Sequence, residues 1–400
     1  MPDQPESQLA PRGLSVLAPF LERPSQVLLG GILGLLVAMG IGRFAYTLLL
    51  PLMQAEYGFG SGTAGWLATA NFSGYLAGSF AATAWPASRG VRYPLVIAFA
   101  ASALTTLAMG LTASVPAWLV LRFLSGTASA WIFVFVTAHV LTVLREAGRG
   151  DQAGWMYGGV GIGIALTSIV ALALPVRTSG SLWILFGIAG AIIAAASAAL
   201  LPKHLAVAMP LRNAPVPANG VRHAWRTLVV VAYSLEGIGY IVSATFIVAV
   251  VKTAQGQFES GAWAWMIVGL AGIPACVMWT RRTNDRGVIS RLETAYWIQA
   301  AGIVLVALAP GSRAAALLSA ATLGATLTGI VMLTMALAPR IDPENPRRTI
   351  GQLTIGFSAG QMVGPVIAGY AADYFGSYAV PLLGSAVLLV ISALATRKLA

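Results

Sequence analysis

Charged residues are scarce in this 400-residue chain. Only 9% of its positions are Asp, Glu, Lys or Arg, whereas a soluble domain has about 25%. The 58% of residues that are hydrophobic exceed what a water-soluble core of this size can bury. The composition therefore excludes a cytosolic enzyme, a disordered chain and a nucleic-acid module.

Cysteine and histidine are nearly absent as well. The single cysteine, Cys276, cannot form an internal disulfide, and with only three histidines the chain lacks the ligands of a structural zinc site. There is also no Gly-rich phosphate-binding loop of the Walker type, which excludes ATP-driven pumping by this chain. We expect no metal and no cofactor.

Long apolar segments dominate the sequence instead. A membrane-spanning helix needs about 20 mainly apolar residues, and the N-terminal stretch that precedes the first segment is polar and contains prolines, with no sign of a cleaved signal peptide. The sequence predicts an all-α membrane protein with twelve transmembrane helices. The predicted spans are 26–54, 62–84, 94–113, 116–140, 152–174, 179–201, 226–251, 259–279, 290–309, 312–338, 349–373 and 378–397.

The positive charges are distributed unevenly between the two sides of the predicted spans. With the N-terminus placed in the cytoplasm, nineteen of the 24 Lys and Arg residues fall in cytoplasmic segments and three in external loops, and the remaining two lie inside spans. Because cytoplasmic loops carry an excess of Lys and Arg, we predict that both termini are cytoplasmic. The net charge of +11 then reflects topology rather than nucleic-acid binding.

The chain also repeats itself with an offset of 197 residues. Each half holds six predicted helices, so the halves share one orientation and are related by an axis along the membrane normal. The aligned landmarks are Gly40-Ile41-Gly42 with Gly237-Ile238-Gly239, Trp66 with Trp263, and Arg89-Gly90-Val91 with Arg286-Gly287-Val288. We divide the chain into a cytoplasmic tail 1–24, a six-helix bundle 25–201, a cytoplasmic linker 202–221 and a second bundle with a short tail, 222–400.

Two six-helix bundles joined by a basic linker resemble the major facilitator superfamily of secondary transporters. The run Arg122-Phe-Leu-Ser-Gly resembles the Arg-x-x-x-Gly motif of the superfamily's fourth helix. The run Gly-Ile-Gly-Arg43 in the first span and the run Glu236-Gly-Ile-Gly-Tyr240 in the seventh look like its YbfB/YjiJ-like branch. The resemblance implies transport by alternating access between the two halves, and no enzymatic activity.

The superfamily also has a loop motif, in which an Asp precedes an Arg-Gly turn after the second helix of each half. Only the second half of this chain has the complete motif, because the first half lacks the Asp. The motif residues are Arg89 and Gly90 in the first half and Asp285, Arg286 and Gly287 in the second. The resemblance implies that these residues act at the inner gate, with a charged brace in the second half.

Three charged residues, Arg43, Arg122 and Glu236, fall well inside predicted spans, where a charge costs a few kcal/mol to insert. Helical spacing places Tyr46 on the same face as Arg43, and Tyr240 on the same face as Glu236. In the superfamily the first and seventh helices face each other across the central pathway. The resemblance therefore implies that Arg43 and Glu236 view one cavity.

These charges lead to a hypothesis about the transported solute. Arg43 is permanently cationic, and its forked donors suit a carboxylate or a similar oxyanion. A carboxyl group shielded from water favours its protonated form, so Glu236 could carry a coupling proton. The sequence thus indicates a transporter of a small organic anion that is coupled to protons. Alternatively, Arg43 and Glu236 form a structural ion pair that holds the bundles together.

Other polar residues within the spans complete the predicted substrate site. Arg122 could add a second cation, or its long side chain could extend to the lipid headgroups. Each of the remaining polar side chains could contact substrate or form an interhelical hydrogen bond. The predicted substrate-binding residues are Arg43, Tyr46, Asn71, Arg122, Tyr157, Tyr240 and Gln361.

Other functions stay open from the sequence. A proton-driven exporter of drugs or lipophilic cations would have the same fold, with Glu236 pairing with the charge of its substrate. An intramembrane enzyme or a non-transporting sensor is less well supported, because the three histidines are scattered and the predicted tails are short. We expect a monomer in the inner membrane of a bacterial cell, with a small-molecule substrate, the lipid bilayer and protons as its partners and no nucleic acid.

Overall fold

The computed structural model describes residues 24–86, 89–174, 178–201, 221–280, 285–342 and 346–399, which form helices and no strand. The predicted N-terminal tail and linker lie almost entirely outside these residues. We label the helices in chain order. Their bounds are α1 Pro24–Tyr57, α2 Ser61–Thr83, α3 Arg92–Met109, α4 Val115–Glu146, α5 Ala153–Ala173, α6 Ser179–Leu200, α7 Val221–Gln255, α8 Phe258–Thr280, α9 Asp285–Leu308, α10 Arg313–Ile341, α11 Pro346–Phe375 and α12 Ala379–Arg397.

Within the described chain, nine helices are long and apolar enough to cross a membrane, which makes the protein a multi-pass membrane protein. The other three, α2, α9 and α11, contain many small or polar residues. Helix α2 is rich in Gly, Ala, Ser and Thr, and α9 and α11 begin with charged turns. Twelve membrane crossings with cytoplasmic termini therefore stay a prediction.

The internal repeat extends to the contacts between helices. In the first half α2 packs against α4 and α3 against α6, and in the second half α8 packs against α10 and α9 against α12. Between the halves, α2 packs against α11 and α5 against α8, and the 197-residue offset exchanges these two pairs. The tertiary contacts thus follow the repeat seen in the sequence.

One hydrogen bond locates the axis of this repeat. The hydroxyl of Thr47 on α1 donates to the carbonyl of Ala244 on α7 at 2.8 Å, and these residues are 197 positions apart. Two equivalent points can approach each other only near the axis that relates them. The pseudo-twofold axis therefore passes between α1 and α7 at this depth.

Glycine allows the two halves to approach closely. A Cβ atom added to Gly161 of α5 would lie 2.5 Å from the carbonyl oxygen of Gly269 on α8, and one added to Gly65 of α2 would overlap the carbonyl of Pro365 on α11. Small residues bring helix backbones together in membrane proteins, where packing rather than the hydrophobic effect drives association. The α5–α8 and α2–α11 contacts between the halves both depend on this property.

Helix α1 is interrupted in its middle. An α-helical first part passes into a π-helical turn, Leu36–Ile41, and the regular helix restarts at Ala45. The backbone NH of Phe44 donates to the carbonyl of Met39, five residues back, at 2.9 Å. A π turn displaces the regular hydrogen bonds of a helix and is frequent at functional sites. Arg43 lies within the interruption, between the π turn and the restart of the helix at Ala45.

Candidate functional site

Arg43 lies at the centre of the described helices, with 4% of its surface exposed. Its Nη2 donates a hydrogen bond of 3.0 Å to Oε1 of Gln361 on α11. The amide nitrogen of Gln361 in turn donates a short hydrogen bond to the hydroxyl oxygen of Tyr240 on α7. The structure therefore brings together three of the predicted substrate-binding residues, which we call the central site, and it joins a cation of the first half to polar groups of the second.

Aromatic rings surround the guanidinium group of Arg43. Its Cζ atom lies 4.6 Å from the ring centroid of Phe72, 4.9 Å from that of Tyr75 and 5.5 Å from that of Phe44. Cation–π contacts of this kind are worth about 0.5–2 kcal/mol each, with the higher values at desolvated positions. These rings stabilise the cation, but they do not neutralise its charge.

The described residues include no carboxylate within 4.0 Å of the Arg43 guanidinium. Its Nε is buried and has no hydrogen-bond acceptor among them. The one side-chain oxygen bonded to Arg43 belongs to the neutral amide of Gln361. The central site therefore holds a buried positive charge without a described counter-ion.

Glu236 lies one helical turn before Tyr240 on α7, and only 1% of its surface is exposed. Neither carboxyl oxygen has a hydrogen-bond partner among the described residues, so the structural ion pair with Arg43 is not formed in this conformation. An ionised carboxylate without donors is costly to bury, and these surroundings suit the neutral acid. Within the described chain no three His, Cys, Asp or Glu side chains form a group that could hold a metal ion.

Arg122 binds the backbone of the interrupted helix. Its Nη1 donates to the carbonyl of Gly42 at 3.0 Å and its Nη2 to the carbonyl of Arg43 at 3.3 Å. The guanidinium also lies 4.7 Å from the ring centroid of Tyr46. With 2% of its surface exposed, Arg122 points inward and does not extend to the headgroups, because α4 turns this face toward α1. A direct contact with substrate stays a prediction.

Two serines of α4 that the sequence analysis missed support the same segment of α1. The hydroxyl of Ser125 donates to the carbonyl of Gly42 at 3.0 Å, and that of Ser129 donates to the carbonyl of Ala38 at 2.6 Å. Arg122, Ser125 and Ser129 lie at positions i, i+3 and i+7, which share one helical face. This spacing of polar residues is the signal that could have identified them.

The other predicted substrate-binding residues have no described hydrogen bond to Arg43, Gln361 or Tyr240. The hydroxyl of Tyr46 donates to the carbonyl of Ala64 at 2.8 Å. The amide of Asn71 donates to the carbonyl of Arg122 at 3.0 Å, while its Oδ1 is buried without a donor among the described residues. Tyr157 is buried on α5. Their roles in binding stay predictions.

The predicted gate residues are described in part. Gly90 adopts a φ of +65°, which favours glycine, and its carbonyl accepts a hydrogen bond of 2.9 Å from the indole of Trp85. The guanidinium of Arg89 lies 5.9 Å from the same ring. The corresponding set in the second half is Asp285, Arg286 and Gly287. That set opens α9, but the side chains of its first two residues lie outside the described residues, so the charged brace stays a prediction.

Comparison with solved structures identifies the class of fold. The nucleoside transporter NupG is similar with a TM-score of 0.66 at 14% identity, and the match covers 93% of this chain and 99% of NupG. The human organic anion transporter MFSD10 is similar with a TM-score of 0.61 at 14% identity, with the same coverage of 93% and 99%. At this identity the similarity shows the fold alone, which is that of the major facilitator transporters.

Comparison with protein families is more specific. The sequence model of the family described as "Uncharacterised MFS-type transporter YbfB" matches residues 35–397. The chain belongs to this family, and the resemblance drawn from its first and seventh spans is confirmed. The family and both structural relatives are transporters rather than enzymes. No curated protein matches the chain by sequence.

The contacts of Arg122 make a prediction about stability. Replacing Arg122 with Leu removes the side-chain donor of the Arg43 carbonyl and one of the two side-chain donors of the Gly42 carbonyl, which keeps its bond to Ser125. A buried group that is left unsatisfied costs about 1–3 kcal/mol. We expect a clearly lower apparent melting temperature for the detergent-purified variant. Arg145→Leu, at an exposed position of the same helix, is the matched control and should leave the melting temperature unchanged. Equal melting temperatures for the two variants would contradict this role of Arg122.

Proposed function

We propose that the protein is a secondary transporter that moves a small organic anion across the membrane by alternating access, with Glu236 carrying a coupling proton. The observation that carries this proposal is the buried guanidinium of Arg43, which no described carboxylate neutralises. A buried charge is stable only when it is paired or hydrogen-bonded. A substrate anion would supply the missing charge.

Gln361 holds the position that an anion would take. Its amide oxygen accepts one hydrogen bond from Arg43, but it carries no charge, whereas a carboxylate brings the opposite charge and can accept two parallel hydrogen bonds from a guanidinium. A carboxylate that enters the site therefore competes well for Arg43. Once displaced, the amide of Gln361 is still bonded to Tyr240 and can contact the anion from the second half.

This arrangement supports coupling between binding and movement of the halves. Arg43 belongs to the first half, whereas Gln361 and Tyr240 belong to the second. An anion held between them contacts both halves at once, and its binding energy then depends on how the halves are placed. A ligand shifts a conformational equilibrium only through such a difference in affinity.

The proposed role of Glu236 follows from charge. It lies four residues before Tyr240, about 6 Å along the helix axis at 1.5 Å per residue. If Glu236 is ionised, its negative charge competes with the substrate anion for the positive potential of Arg43, so the anion binds best when Glu236 is protonated. Anion and proton therefore bind together, which is the behaviour of a proton symporter.

Several further properties belong to the same proposal. We place the protein in the inner membrane of a bacterial cell as a monomer, with twelve membrane crossings and both termini in the cytoplasm. Transport needs no cofactor and involves no nucleic acid. The excess of Lys and Arg in the predicted cytoplasmic segments supports this orientation.

A second candidate function is export of a lipophilic cation. It is favoured by a stack of aromatic rings in the second half. The ring centroid of Phe357 lies 4.4 Å from that of Tyr233 and 5.5 Å from that of Tyr240, and the buried acid Glu236 lies between these two tyrosines on α7. An organic cation could bind between such rings and a carboxylate. The charge of Arg43 would repel it, and for this reason we favour the anion.

Transport by the purified protein in liposomes tests the anion site. We expect at least one class of organic carboxylate to accumulate in response to an inward proton gradient. Arg43→Ala should reduce this uptake about tenfold or more, because the variant loses the charge that binds the anion, and Arg43→Lys should restore part of it. Arg145→Ala, at an exposed position, serves as the control. Uptake of lipophilic cations with carboxylates inert would contradict the proposal and support the alternative.

The proton-coupling role makes a separate prediction. Glu236→Gln keeps the side chain neutral at every pH, so we expect the variant to lose accumulation driven by a proton gradient while it retains exchange of labelled for unlabelled anion at equal pH. The control is Glu146→Gln, which changes an exposed carboxyl group at the end of α4. Accumulation at the parental rate in the Glu236 variant would show that another group carries the proton.

A further inference from the structure

A contact between the halves lies at the end of the molecule that the charge distribution predicts to be external. Asp373, near the end of α11, accepts a hydrogen bond from the backbone NH of Ser61 at 2.8 Å and another from that of Gly62 at 2.7 Å. Ser61 and Gly62 are the first two residues of α2. A carboxylate of the second half therefore caps a helix of the first half.

The residue that precedes α2 has no side chain that could cap the helix. The first NH groups of a helix have no acceptor within the helix, and a carboxylate stabilises them further through the helix dipole. The residue that precedes α2 and would normally supply the cap is Gly60, which has no side chain. A Cβ atom at Gly60 would lie 2.8 Å from Oδ2 of Asp373, so the glycine also provides the space for the carboxylate.

Further contacts between α2 and α11 lie deeper in the molecule than the cap. Within the described residues three more hydrogen bonds join α2 to α11 or to Tyr378 in the turn after α11. A cavity of about 400 Å³ lies at the outer end of this contact, lined in part by Ser61, Asp373 and Tyr378. The three bonds join the hydroxyls of Ser61 and Tyr378 at 2.8 Å, the indole of Trp66 and the hydroxyl of Tyr370 at 3.3 Å, and the hydroxyl of Thr69 and the carbonyl of Met362 at 2.5 Å.

We propose that Asp373 is the outer latch of the transport cycle. It is a positioning residue that holds α2 against α11 while the outer side is closed and releases Ser61 and Gly62 when that side opens. The latch lies twelve residues from Gln361 on the same helix, about 18 Å along the axis at 1.5 Å per residue. Helix α11 thus connects the central site with the outer closure. The inference rests on the proposed alternating access, but it needs neither the anion nor the proton.

Glu56 provides a matched comparison within the same molecule. At the outer end of α1 it accepts a hydrogen bond of 2.7 Å from the backbone NH of Ser179, the first residue of α6, and a short one from the hydroxyl of Ser179. The chemistry is that of Asp373, a carboxylate with two donors at a helix start. Helices α1 and α6 belong to the same half, however, so relative movement of the halves does not break this cap.

The test measures how readily the outer side opens. In a background with Cys276→Ala, a reporter cysteine is introduced as Ser243→Cys. Ser243 is fully buried, its hydroxyl has no partner among the described residues, and it precedes Ala244, whose carbonyl accepts the hydroxyl of Thr47 across the halves. Intact cells that make the full chain are treated with a membrane-impermeant maleimide, and the labelling rate is measured without substrate.

We expect Asp373→Ala to raise the labelling rate about tenfold, because the variant lacks two hydrogen bonds that the parent protein makes only while the outer side is closed. Tyr378→Phe, which removes one hydroxyl partner of Ser61 and little volume, should raise it by a smaller factor. Glu56→Ala should leave it within about twofold of the parent, because the lost cap lies within one half.

Two results would overturn the latch. One is a labelling rate of the Asp373 variant equal to that of the parent, and the other is an equal rise in the Glu56 variant, which would indicate general loosening of the fold. If Asp373→Ala does not yield folded protein, Asp373→Asn, which keeps the shape of the side chain, takes its place and should still exceed Glu56→Gln. The labelling rate is measured without substrate and without transport. A result that contradicts the latch therefore does not contradict the anion site, which is tested by uptake.

Discussion

A positive charge in the middle of a membrane protein must be stabilised by its surroundings, and much of the structure around α1 follows from that constraint on Arg43. Rings of Phe44, Phe72 and Tyr75 face its guanidinium, and the amide of Gln361 accepts one of its hydrogen bonds. Arg122 holds the backbone from which Arg43 projects. Each contact lowers the cost of burial, and none removes the charge. In the proposed function a substrate anion supplies the missing negative charge.

The two halves share a backbone plan but differ in charge. The 197-residue offset places Tyr240 where the first half has Arg43, and Glu236 where the first half has Met39. The cation of the central site therefore belongs to one half and the buried acid to the other. In the proposed mechanism the anion binds between Arg43 of the first half and Gln361 and Tyr240 of the second, and the proton binds Glu236 of the second half. The asymmetry of charge on a symmetric frame is the physical basis of the proposed coupling.

Much of the fold could be predicted from the sequence, because the cost of burying charge restricts where Lys, Arg, Asp and Glu occur. That restriction indicated the helices and the buried residues Arg43, Arg122 and Glu236, whereas the family was predicted from the repeat and the sequence motifs around these residues. Hydrophobic periodicity does not determine how a helix is rotated about its axis, so it could not show that Arg122 points toward α1 rather than toward the headgroups. The partner of Arg43 could not be predicted either, since it depends on how closely α1 and α11 approach.

Contacts between distant parts of the chain were the least predictable. The cap that Asp373 places on α2 joins residues 312 positions apart, and no local pattern connects them. The sequence gives one indication of this cap, which is that Gly60 has no side chain to cap the start of the helix. The interruption of α1 was likewise hidden, because its apolar residues suit a π turn as well as a regular helix.

Ligand binding to the purified wild-type protein tests the central claim most directly. In a thermal-stability titration, a ligand that binds the folded state raises the apparent melting temperature by mass action. An anion site at Arg43 predicts saturable stabilisation by at least one class of small organic carboxylate and none by lipophilic cations of similar size. Stabilisation by the cations, with every carboxylate without effect, would contradict it.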